Sequence, residues 1–69
     1  VNIHKVASAL IGVGIHFSYY EGSLFAHDHR IDVTNNTVVI SRDGDKSTGV
    51  SYYYLSEVIA VMRYIKSRN

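Results

Sequence analysis

This sequence predicts an α+β fold: a two-layer helix–sheet domain with both helices on one face of an antiparallel meander. Three observations carry that expectation. Apolar residues recur with helical period near each end of the chain. They alternate with period two through the middle. The middle is punctuated by Glu21-Gly22-Ser23 and Asn35-Asn36, residue types suited to tight reversals. The expected order is α-β-β-β-(β)-α, in a single domain spanning residues 1–69.

The first helix is expected from Ile3 to Val13. Ile3, Val6, Ala7, Leu10 and Ile11 fall on one face, Asn2 is a suitable N-cap, and Gly12 and Gly14 supply the stop. A strand follows from Ile15 to Tyr20, with Ile15, Phe17 and Tyr19 facing inward. A three-residue loop, Glu21-Gly22-Ser23, then sets Tyr19 opposite Phe25, Phe17 opposite His27 and Ile15 opposite His29. On the other face His16 meets Asp28. A two-residue loop would turn Asp28 onto the apolar face of the next strand, so the longer loop is preferred.

That next strand is read as continuous. Phe25, His27, His29, Ile31 and Val33 alternate with Ala26, Asp28, Arg30 and Asp32. Asparagine tolerates the left-handed backbone of a type I′ turn, so Asn35-Asn36 closes a hairpin with Val33 opposite Val38, Ile31 opposite Ile40 and His29 opposite Arg42. Asp43-Gly44-Asp45-Lys46 reads as a turn. Ser47 to Ser51 reads as a short further strand with Val50 inward. The last helix is expected from Tyr52 to Ser67, its apolar stripe formed by Leu55, Val58, Ile59, Met62 and Ile65.

Composition removes several function classes. The chain has 69 residues, is 46% hydrophobic and 19% charged, and carries a formal charge of +1, which describes a folded domain with no global field toward nucleic acid. It lacks cysteine, which excludes disulfides and thiolate metal sites. The apolar run Val6 to Ile15 is shorter than the ~20 residues a bilayer span needs and lacks a convincing signal-cleavage site, so a soluble cytoplasmic protein is expected. Gly12-Val13-Gly14 lacks a third glycine and follows a helix instead of a strand. Lys46-Ser47-Thr48-Gly49 has no glycine-rich loop around it. No cofactor, no small-molecule substrate and no enzymatic activity are expected.

Four groups of residues could carry function. His27 and His29, two apart on one strand face, could converge on a metal, but a third ligand is missing within the chain. His16 opposite Asp28 forms a histidine–carboxylate pair without a pocket. Arg63, Lys66 and Arg68 make the one basic cluster, at the end of the last helix, where cations also suit the helix dipole. Tyr52, Tyr53 and Tyr54 are consecutive, so no regular element can bury all three. In a helix starting there, Tyr53, Glu57, Ala60 and Tyr64 lie away from the core stripe. Tyrosine gives large contact area at low conformational cost, which suits an interface. The expectation is therefore a small non-enzymatic inhibitor or regulator, of phage or mobile-element type, that binds a protein partner or forms a homodimer through that surface. The alternative is a nucleic-acid-binding regulator using the basic helix end.

Overall fold

The computed structural model describes every residue from Val1 to Asn69. Its order is α1 (Ile3–Gly12), β1 (Ser18–Tyr20), β2 (Ser23–Ala26), β3 (His29–Thr34), β4 (Thr37–Arg42), β5 (Asp45–Tyr52) and α2 (Leu55–Ser67). The strands form one five-stranded antiparallel sheet in sequential order, and both helices cover the same face. The expected fold class holds, with more strands than the sequence reading counted.

α1 begins where Asn2 accepts a hydrogen bond from the Lys5 amide at 3.0 Å, which satisfies one orphan donor of the first turn. It ends in a Schellman arrangement. The Gly14 amide donates to Ile11 O (3.1 Å) and the Ile15 amide to Leu10 O (2.9 Å), with Gly14 at φ +73°. This geometry drops Ile15 into the core beside Leu10. Ile11, expected on the buried face, is 68% exposed; the packed face of α1 carries the buried Val6 and Leu10 with the partly buried Ile3 and Ala7.

The middle of the chain departs most from the sequence reading. The first hairpin turns on two residues, Glu21 and Gly22, and pairs Tyr20 with Ser23, Tyr19 with Leu24 and Ser18 with Phe25. The expected strand from Phe25 to Val33 is broken by a second two-residue turn at His27-Asp28, where φ is +49° and +62°. Histidine and aspartate are among the few non-glycine types that enter this region. The break reverses parity within β2, so Leu24 and Ala26 face the helices while Phe25 lies on the opposite face under the Arg30 guanidinium, 5.7 Å from its ring centre. The expected facing of Tyr19 by Phe25, of Phe17 by His27 and of Ile15 by His29 is therefore replaced. His16 lies outside any strand and does not meet Asp28.

Beyond that point the expected register is the observed one. Val33 pairs with Val38, Ile31 with Ile40 and His29 with Arg42 across a turn at Asn35-Asn36, both at positive φ. The further strand runs from Asp45 through Tyr52, longer than Ser47–Ser51, and α2 consequently starts at Leu55 instead of Tyr52. The core joins Val6 and Leu10 of α1, Val58 and Met62 of α2, Ile15, and Leu24, Ala26, Ile31, Val38 and Ile40 of the sheet. At one end of the sheet the Asp43 amide donates to Asp28 O at 2.8 Å, joining the β2–β3 turn to the β4–β5 turn.

Candidate interaction surface

An open five-stranded sheet leaves two edges, and the hairpin turns decide which main-chain groups each edge exposes. Residues flanking a two-residue turn exchange both of their main-chain bonds, and bonded and non-bonded pairs alternate from there. Tyr20 and Ser23 flank the Glu21-Gly22 turn, so Tyr20 and Ser18 direct their groups to β2 and only Tyr19 within β1 points outward. Thr34 and Thr37 flank Asn35-Asn36, so Val38 and Ile40 direct their groups to β5. Their partners Tyr52 and Val50 point back to β4, which leaves the main-chain groups of Ser51 pointing into solvent.

β5 is itself divided. Ser41 alone on β4 faces Lys46, Ser47, Thr48 and Gly49 between the pairs Arg42–Asp45 and Ile40–Val50, which makes a large, irregular bulge. Side chains hold it. The Thr48 hydroxyl accepts from the Arg42 amide (2.8 Å) and donates to Asp45 O (2.7 Å), so it stands between groups that an unbulged ladder would join directly. The Asp45 carboxylate accepts from the Ser47 amide at 3.1 Å. Past the bulge, Val50 to Tyr52 regains regular pairing. Val50 lies on the helix side opposite Ile40 yet is 51% exposed, because no sixth strand covers its flank.

Five of the six tyrosines are exposed, from 58% for Tyr19 to 70% for Tyr54; Tyr52 packs in β5 against the core. Glu57 organises the β5–α2 junction. Its Oε1 accepts from the amides of Tyr53 (3.2 Å) and Tyr54 (3.1 Å), and its negative charge sits in the first turn of α2, where the helix dipole favours it. Glu57, Ala60 and Tyr64 are exposed on α2, three and four residues apart, and so share its outer face. Tyr53 precedes the helix, which corrects the expected helical alignment of Tyr53 with Ala60 and Tyr64. It belongs to the end of the β5 edge instead.

The basic residues at the end of α2 are differently engaged. The Lys66 ammonium donates to Gly14 O at 3.0 Å, tying α2 to the cap of α1. The Arg68 guanidinium lies 5.8 Å from the Tyr64 ring centre, and Arg63 is exposed without an ion-pair partner.

A depression of about 430 Å³ opens where the β2–β3 turn meets the end of α2. Its lining includes His27, His29, Arg42, Tyr64 and Arg68. His29 Nδ1 is 2.8 Å from His27 O. A carbonyl oxygen only accepts, so this nitrogen carries the hydrogen and Nε2 is the free position of that ring. His27 Nε2 is buried without a hydrogen-bond partner. The two rings thus differ in backbone setting, His27 in the turn and His29 at the start of β3, unlike two neighbours on one strand face. No group of three histidine, cysteine or acidic side chains is disposed to hold a metal ion.

Comparison with known proteins finds no matching family model, no matching curated relative and no matching solved structure. No helix is long and apolar enough to cross a membrane. The β5 edge escaped the sequence reading, although a signal for it was present. No charged residue and no proline stand between Lys46 and Glu57, so that strand lacks the usual devices that blunt an edge.

Proposed function

We propose that this chain is a small, non-enzymatic protein–protein interaction module that self-associates and acts by occupying a partner's surface. The observation that carries this reading is the exposure of five tyrosines on a domain of 69 residues. Aromatic side chains with a polar tip are enriched at interfaces, where they bury large area with few rotors to freeze. Glu57 holds the backbone under Tyr53 and Tyr54 in place, so part of that surface is ordered before a partner arrives. In this reading the protein works in the cytoplasm as an inhibitor or regulator of phage or mobile-element type, and Tyr53, Glu57, Ala60 and Tyr64 are partner-binding residues.

The nucleic-acid alternative draws on Arg63, Lys66 and Arg68. It has weaker support, because Lys66 already bonds to the α1 cap and the net charge is only +1.

The test is the mass in solution across a concentration series, for the parent and for Tyr53→Glu combined with Tyr64→Glu. Self-association in the parent, weakened about tenfold or more in the double variant with an unchanged circular dichroism spectrum, is the expected result. A parent that stays monomeric, with no tyrosine protected in any partner complex, overturns the reading.

A further inference from the structure

We infer that the partner at the β5 edge is a second copy of this chain, added antiparallel about a two-fold axis at Ser51 to make a continuous ten-stranded sheet. The inference rests on the self-associating reading above and specifies where the contact lies.

Four features of the edge fit this occupant. Ser51 is the residue whose main-chain donor and acceptor both point outward, as set by the alternation from the Asn35-Asn36 turn. A two-fold there lets Ser51 exchange both bonds with Ser51 of the second copy. The bulge confines regular pairing to Val50–Tyr52, and Ser51 is the midpoint of that segment, so the axis falls at the centre of the flat length. The segment carries no charge, so pairing with itself opposes no like charges. The axis also sets Val50 opposite Tyr52, a pair that covers the exposed flank of Val50.

The Tyr53 amide bonds to Glu57 Oε1 within the chain, so the pairing does not draw on that donor. The other edge, β1, is likewise three residues long, and the axis at Ser51 uses β5 on both copies. Association through β5 therefore closes at two copies instead of growing into a filament. Three regularly paired residues a side fall short of the roughly 20–30 of a stable interface, so the dimer is reversible and depends on concentration.

The chain has no cysteine, so Ser51→Cys gives a single thiol. Directly bonded residues of antiparallel strands have Cα atoms about 5.5 Å apart, within disulfide range. Mild oxidation is expected to trap Ser51→Cys as a covalent dimer and to leave Ser56→Cys, exposed on α2, largely monomeric. Ser51→Pro removes an outward amide that β4 does not use. It is expected to shift the sedimentation mass to monomer while keeping the circular dichroism spectrum. Val50→Lys, which sets two cations near the axis, is expected to weaken self-association about tenfold and serves if the proline variant fails to fold. Ser8→Glu, exposed on α1, is expected to leave the dimer intact. If the parent dimerises but Ser51→Cys does not cross-link and Val50→Lys has no effect, the edge assignment is overturned while self-association stands. If the parent is a monomer at every concentration, both fall.

Discussion

The two edges of the sheet are built differently, and the difference shows how a small domain can close one side and leave the other open. β1 is three residues long and exposes the main chain of Tyr19 alone. Its neighbour β2 supplies Leu24 and Ala26 to the core, so this side of the sheet is anchored one strand in from the boundary. β5 is eight residues long, and Val50 on it stays half exposed. Its larger part is deformed by the Thr48 bulge, and only Val50 to Tyr52 is regular. Short strands and bulges are two common ways of preventing unwanted pairing. β1 uses the first over its whole length, whereas β5 uses the second over only part of its own.

The sharpest way to break this contrast is to truncate one apolar residue on each side. Leu24→Ala empties a fully buried site and is expected to cost about 2–5 kcal/mol of stability. Val50→Ala, on the open flank, is expected to cost below about 1 kcal/mol. Urea unfolding of the monomeric protein measures both, and equal costs would contradict the asymmetry. Thr48→Val removes the hydroxyl between the Arg42 amide and Asp45 O. It is expected to destabilise by about 0.5–1.5 kcal/mol, seen as a lower urea midpoint. The smallest effect is local. In the dilute monomer the Ser51 amide is expected to exchange with solvent at least about tenfold faster than those of Val50 and Tyr52, which bond to β4. Amide exchange read residue by residue checks it.

The sequence was most legible where residue chemistry allowed one register. Asn35-Asn36 is such a place: few non-glycine pairs accept two positive φ values, and the flanking valines and isoleucines then align without a choice. Leu24-Phe25 is the opposite case. Both residues are apolar, so the pattern can be read in either parity, and the unbroken alternation through Val33 favoured Phe25. The chain resolves it the other way by turning at His27-Asp28. That turn also removes the objection to a two-residue loop at Glu21-Gly22, because Asp28 no longer belongs to a strand with an apolar face. One hidden reversal accounts for the loop length, the facing partners and the misplaced His16–Asp28 pair together. The candidate surface was legible in part for a similar reason. Consecutive tyrosines announce exposure, but the point where β5 yields to α2 decides whether Tyr53 sits on a helix or beside a sheet edge.

The hydrogen bond from the Asp43 amide to Asp28 O has a dynamic consequence. It fastens together two reversals that are separated in the chain, one of them bordering the depression and the other leading into β5. Fraying of either hairpin tip breaks this bond, so opening of the His27-Asp28 corner removes a restraint on the turn that leads into β5.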